Sequence, residues 1–349
     1  MADRASVGIQ LLADLTTLRL GGPAGELVAA DTEAALVAAV TAAEDRGETP
    51  LVLAGGSNVV VADEGFPGTV VLVRTRGVEV ERDADRADRV VVTVAAGEQW
   101  DELVARAVSE GWCGVEALAG IPGTVGATPI QNVGAYGQEV AQTVVGVRCW
   151  DRRLRGERTF TAAECGFGYR TSRFKADPGR HLVLSVAFRF ERGELGRPVR
   201  YAELANALDV SLGDRAPTAD VREAVLSLRR RKGMVLDADD HDTWSVGSFF
   251  TNPFVSAGLL PEDAPRWPQP DGTVKASAAW LIEQAGYVKG YSRGGVGLSS
   301  KHTLALTNRG AGTTAELMEL AGEIRSGVRD RFGIHLANEP VLVGCAIRD

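Results

Sequence analysis

Two glycine-rich stretches limit most tightly what this chain can fold into. Gly55-Gly56-Ser57-Asn58 stands between the apolar run Leu51-Val52-Leu53-Ala54 and the run Val59-Val60-Val61; residues 121–137 read IPGTVGATPIQNVGAYG. Glycine reaches backbone conformations closed to other residues and lets successive N–H groups close on a phosphate. The first stretch is strand, turn, strand. It is not the strand, turn, helix of a P-loop, and neither stretch has the G-x-G-x-x-G spacing of a dinucleotide fingerprint. A phosphate here would be held by a loop nest and hydroxyls, with no helix N-terminus behind it. Two such loops, roughly 70 residues apart, predict one long ligand gripped at several points.

The 349 residues, 45% hydrophobic and 24% charged, suffice for two or three domains of ordinary soluble composition. No apolar run approaches the roughly 18 residues needed to span a bilayer. The opening MADRASVGIQLLADLTT is interrupted by Asp14 and does not read as a leader, so the expectation is a cytoplasmic protein. Cys113, Cys149, Cys165 and Cys345 form no C-x-x-C pair, and His181, His241, His302 and His335 are equally scattered. Reduced thiols and no metal site follow. A net charge of −8 argues against general affinity for nucleic acid and requires any anion site to gather positive charge locally. Arg229-Arg230-Arg231-Lys232 is such a gathering; for the arginines the solvated end of a helix is the better account, while Lys232 is divided evenly between that and ligand binding.

Periodicity predicts helices over residues 32–46, 100–110, 221–231, 276–284 and 315–332, and strands over 90–94, 143–147, 182–190 and 303–307. The charged run ERDADRADR (residues 81–89) reads as an exposed hairpin tip, and residues 237–241 and 257–270 as loops.

Six motifs in order give the chain a family resemblance: TTLRLGGPA (16–24), the GGSN loop, FGYRTSRFK (167–175), VGSFFTNP (246–253), KHTLALTN (301–308) and NEPVLVG (338–344), together with the second glycine run. In these the sequence resembles the UDP-N-acetylenolpyruvoylglucosamine reductase (MurB) family. The resemblance implies an α+β fold: a two-subdomain FAD-binding fold of the vanillyl-alcohol-oxidase/PCMH type, plus a C-terminal α+β substrate domain. The expected spans are 1–76, 77–216 and 217–349, with the last strand free to pack back on the flavin domain. It also implies noncovalent FAD, NADPH as co-substrate, UDP-N-acetylglucosamine enolpyruvate as substrate, a role in peptidoglycan synthesis, and a monomer.

The family reaction reduces an enolpyruvyl ether to a lactyl ether, which calls for a group that tolerates developing charge and an acid that quenches it. The resemblance assigns the first duty to Arg170 and proton donation to Ser248, with Glu339 as the catalytic glutamate. A guanidinium fork suits a carboxylate on which charge builds, whereas serine is a weak acid that needs its site to favour ionisation. Substrate contacts fall to Tyr169, Tyr201, Lys232, Asn252 and His302, with Tyr201 on a loop that one subgroup closes over its substrate. Flavin contacts fall to Gly55, Gly56, Ser57 and Asn58, and to Gly123, Thr124, Gly126, Thr128, Gln131, Asn132 and Gly134. Ala127 stands where some relatives have serine, which leaves Thr128 and backbone N–H groups to make that contact. Two alternatives stay open: another FAD-dependent sugar or lactone oxidoreductase of the same fold, and a non-catalytic nucleotide-sugar sensor.

Overall fold

In the computed structural model, which describes residues 10–348, the chain passes four times between two compact units. One comprises the described residues of Met1–Glu26, Gly56–Pro67 and Lys232–Asp349; the other comprises Leu27–Gly55 and Gly68–Arg231. Residues 1–9, where the segment read as carrying no leader begins, lie outside the described residues.

The unit of Leu27–Gly55 and Gly68–Arg231 is built on an antiparallel sheet. Its strands run in the order Gly156–Thr161, Val144–Asp151, His181–Arg192, Arg89–Ala95, Val78–Arg82, and Trp112–Cys113 pairs beside His181–Arg192. Alternation decides its faces: Val90, Val92 and Val94 point into the core and lie opposite Phe190, Phe188 and Val186. The helix Trp100–Ser109 buries Trp100, Leu103, Val104 and Ala107, a spacing that lays one stripe on that face. Trp100 meets Phe188 at 5.9 Å between ring centroids, and its indole N–H donates to the Leu118 carbonyl at 3.1 Å. Thr32 caps the helix Glu33–Asp45 by accepting from the Ala35 N–H. The charged run 81–89 spans the turn between Val78–Arg82 and Arg89–Ala95, as expected of a hairpin tip.

In the other unit, Ser245–Ser248, Ala305–Asn308, Val296–Leu298 and Ser292–Arg293 form a four-stranded antiparallel sheet. The helix Thr314–Phe332 begins at a capping box between Thr313 and Glu316 and buries Leu317, Leu320, Ala321, Ile324 and Val328. The strand Val341–Val343 runs parallel to Val59–Val61, Val341 opposite Val59. This pairing draws Gly56–Pro67 out of the first expected span and into the unit that holds Lys232–Asp349.

Two expectations change. Residues 257–270 are not all loop: Arg266–Pro268 is a strand paired with Val274–Ala276 at the edge of a three-stranded sheet. Its proline is its last residue, on an edge that demands no further donor. Tyr201 is the residue before the helix Ala202–Leu208 rather than part of an open loop. Among the described residues no helix is long and apolar enough to cross a membrane. All four cysteines are free, and burial pushes the thiols of Cys113 and Cys165 up to about 11 and that of Cys149 up to about 12. At neutral pH they stay protonated and unreactive.

One buried polar cluster ties the far edge of the first sheet together. Asp151 is fully buried, receives Arg180 through Nε at 3.1 Å and Nη2 at 2.9 Å, and accepts the N–H groups of Arg153 and Leu154. The Arg180 bonds hold its carboxyl down at about 2. His181 lies 3.8 Å from Asp151 and edge-on to Phe160 and Phe174. Burial lowers its pKa by more than Asp151 raises it, and Arg180, Asp177 and Arg173 complete its charged surroundings.

The folded state therefore disfavours protonation of His181, while the unfolded chain takes up a proton near the ordinary imidazole value of 6.5. The contribution is complete above that pH and falls away below it; the contribution of Asp151 is lost only between 3.8 and about 2. Urea unfolding midpoints should accordingly drop between about pH 7.5 and about pH 5.5, and His181→Leu should flatten the curve over that interval. Parallel curves for the two proteins would mean that His181 titrates as if exposed.

Candidate active site

Gly55 and Gly123, one residue from each glycine loop, meet within one unit. A Cβ built on Gly55 would lie 2.6 Å from the Cα of Gly123, so the backbones touch where neither loop carries a side chain. The Gly126 N–H donates to the Ala96 carbonyl and the Trp100 N–H to the Gly123 carbonyl, which fixes the second loop to the end of Arg89–Ala95 and the start of Trp100–Ser109. Beside this contact Thr124 is 1% exposed, and its hydroxyl has no hydrogen-bond partner among the described residues. A buried hydroxyl without a partner carries a desolvation cost that a ligand oxygen would relieve. The cradle and this hydroxyl suit a phosphate-bearing cofactor.

Other members of the expected flavin set are occupied. The Thr128 hydroxyl donates to the Val125 carbonyl at 2.8 Å. Asn132, 1% exposed with φ of 47°, donates to Glu139 at 2.8 Å and to the Gly168 carbonyl at 3.1 Å, and accepts from the Ala141 N–H. Its amide fastens the loop to the turn ahead of Arg170. Gln131 is half-buried beside it. Gly56 belongs to the other unit, where its carbonyl accepts the Thr17 N–H, and Ser57 and Asn58 follow it there.

Tyr169 and Arg170 form the tip of a tight turn closed by reciprocal backbone bonds between Gly168 and Thr171. Arg170 takes φ of 51°, and Nη2 donates to the Gly134 carbonyl at 2.9 Å. Gly134 makes room for it, since a Cβ there would lie 3.4 Å from Nη1. A strained, doubly anchored arginine is a pre-positioned one.

Ser248, Asn252, His302 and Glu339 share the second unit. Ser248 closes the strand Ser245–Ser248 after an irregularity at Gly247, whose φ of 75° favours glycine although a Cβ would meet nothing there. Phe249 and Phe250 follow, fully buried, and hold the strand down. The Glu339 N–H donates to the Phe249 carbonyl at 2.8 Å, and the Thr251 N–H to that of Ala337. Glu339 is thus bound one residue from Ser248, and two residues further on Val341 donates to the Asn58 carbonyl. The His302 carbonyl accepts from Ala305, the residue paired with Ser248. Asn252 spends its amide oxygen on the Ala278 N–H, at the start of the helix Ala278–Gln284, and keeps its NH2 group. Lys232 follows directly on the helix Thr218–Arg231.

Two residues were missed by the sequence analysis. Tyr136, in the quoted second loop, has φ of 50° and meets Tyr201 edge-on at 5.5 Å; burial pushes its phenol up to about 12. An aromatic residue inside a glycine run was the available signal. Arg229 corrects the solvated-end account: Arg230 and Arg231 are exposed, but burial brings the guanidinium of half-buried Arg229 down to about 10, against the opposing pull of Tyr136 and Asp101.

Known proteins resemble this chain over nearly all of its length. Residues 25–156 match the FAD binding domain model, and residues 239–343 match the C-terminal domain model of UDP-N-acetylenolpyruvoylglucosamine reductase. The UDP-N-acetylenolpyruvoylglucosamine reductase of Salinispora arenicola is 58% identical over 349 residues, covering 96% of this chain and 95% of its own. That of Thermobifida fusca is 56% identical, covering 96% and 97%. The crystal structure of UDP-N-acetylenolpyruvylglucosamine reductase (MurB) from Thermus caldophilus superposes with a TM-score of 0.65 at 25% identity, covering 96% of this chain and 98% of that one.

The contact between the loops is testable. Gly55→Ala should weaken FAD retention on the order of tenfold, because overpacking costs ~1–3 kcal/mol. The flavin-to-protein absorbance ratio after purification measures it, with Gly258→Ala, where a Cβ meets nothing, as the neutral control. Equal ratios for Gly55→Ala and the parent would separate the loop contact from the cofactor.

Proposed function

Because the chain belongs to the UDP-N-acetylenolpyruvoylglucosamine reductase family, we propose that its two glycine loops hold FAD and that Arg170, Ser248 and Glu339 complete the reduction of the enolpyruvyl ether. The protein is an FAD-dependent oxidoreductase that reduces UDP-N-acetylglucosamine enolpyruvate in peptidoglycan synthesis. NADPH is the reductant, the flavin is held noncovalently, and the enzyme works as a cytoplasmic monomer. Functionally, residues 1–76 and 77–216 serve the flavin and 217–349 the nucleotide sugar.

Bound FAD supplies the hydride that NADPH provides. The chain does the rest. Gly55 and Gly123 allow backbone to approach the cofactor, and the Thr124 hydroxyl gives it a hydrogen bond that no protein group takes. Arg170 meets the substrate carboxylate with its guanidinium and steadies the charge that builds next to it. Ser248 donates the proton from Oγ to the carbon beside that carboxylate, so that hydride and proton together saturate the double bond. Glu339 acts beside Ser248 on the same group. Tyr201, Tyr136, Lys232, Asn252 and His302 hold the nucleotide sugar, the tyrosines by closing over it.

The observation that best supports this reading is the 2.8 Å bond from the Glu339 N–H to the Phe249 carbonyl, which brings two acids of distant sequence to adjacent backbone. Ser248→Ala should leave anaerobic bleaching of the flavin by NADPH nearly intact and slow reoxidation by the enolpyruvyl substrate by about 10²–10⁴-fold, the usual worth of a positioned acid. Equal slowing of both half-reactions would remove Ser248 from the proton-donor role.

A further inference from the structure

A cavity of about 330 Å³ opens in the unit of Leu27–Gly55 and Gly68–Arg231, lined by Arg197, Arg200, Arg215, Glu191, Gln142 and Gln138 among others. Three arginines and one glutamate line it, with the Glu116 carboxylate behind Arg197, so positive charge is gathered here in a protein of net charge −8. Glu191 is shared between two arginines, 3.8 Å from Arg215 and 3.6 Å from Arg89, the second outside the cavity wall.

Arg197 is fixed from behind rather than paired. The fully buried Glu116 accepts its backbone N–H at 2.9 Å, and also those of Gly114 and the Gln138 side chain. The arginine side chain then lies across Gly114, where a Cβ would come 3.1 Å from Nε. That Nε is buried and has no hydrogen-bond partner among the described residues. Gln138 spends its oxygen on the Ala117 N–H, so Gln142 supplies the uncommitted amide of the wall. Arg200 packs on Gly137 opposite.

We propose that this cavity is a binding site for a phosphate dianion, either inorganic phosphate or the phosphate of a small monoester. Three guanidinium groups outweigh the carboxylates around them, and guanidinium forks match the tetrahedral oxygens of a phosphate in pairs. The volume exceeds what one phosphate fills and leaves space for a small polar body beside Gln142. Two of its walls are next in sequence to the aromatic pair, Arg200 before Tyr201 and Gly137 after Tyr136. The assignment does not rest on the reductase reading.

Calorimetric titration of the FAD-loaded full chain at constant ionic strength tests it, with inorganic phosphate and glycerol phosphate as probes. One saturable site is expected, weakened about tenfold or more by Arg197→Ala combined with Arg215→Ala and tightened by Glu191→Gln. The glutamine variant guards against misfolding, since damage to the fold would not improve binding. Tighter binding of glycerol phosphate than of phosphate assigns the site to monoesters; the reverse assigns it to the free ion. Unchanged binding in the double variant, or competition by UDP-N-acetylglucosamine enolpyruvate, would overturn the proposal.

Discussion

The short parallel pairing of Val341–Val343 with Val59–Val61 is the constraint on which the second unit depends. Its three residue pairs do more than add a strand. The bond from Val341 to Asn58 joins the segment after Glu339 to the GGSN loop, and the bond from Glu339 to Phe249 joins the segment before it to Ser248. Three motifs from distant parts of the sequence thereby share one backbone network. Because these are main-chain bonds, they set the spacing of the site without specifying its side chains.

The sequence revealed what depends on local chemistry. The helices Glu33–Asp45, Trp100–Ser109, Thr218–Arg231 and Thr314–Phe332 carry apolar stripes or capping residues, so spacing located them to within a few positions. The strand around Val90, Val92 and Val94 alternates and was equally plain. Arg266–Pro268 was lost among the prolines of residues 257–270, because an edge strand with one partner leaves no periodic signature. No local pattern marked the pairing of Val59–Val61 with Val341–Val343; only the family resemblance left the last strand free to pack back on the flavin domain. Within the candidate site, the glycines reported where backbone comes close, but not which polar groups remain available. Thr124 and Thr128 look alike in sequence; one hydroxyl lies unpartnered and the other is consumed by its own turn.

Charge is distributed in keeping with an acidic protein that takes anionic ligands. Many arginines are spent on neighbouring carboxylates, as in Arg152 with Glu44 and Arg180 with Asp151. Arg197 instead anchors its backbone N–H on Glu116 and turns its guanidinium to the cavity beside it. Burial sharpens the division, because a guanidinium without a carboxylate partner interacts strongly with any anion that reaches it.

The strand Val341–Val343 also has a consequence for biosynthesis. Its partner emerges from the ribosome roughly 280 residues earlier, so Val59–Val61 must wait through most of translation before that side of it is paired. During that interval three consecutive valines present an open edge, the kind of surface that recruits other chains. The other unit has its whole sequence once Arg231 is made and can fold while synthesis continues. Nascent chains halted before Val341 should therefore be the species that most need a chaperone, and assembly of the finished enzyme would be gated by its last strand.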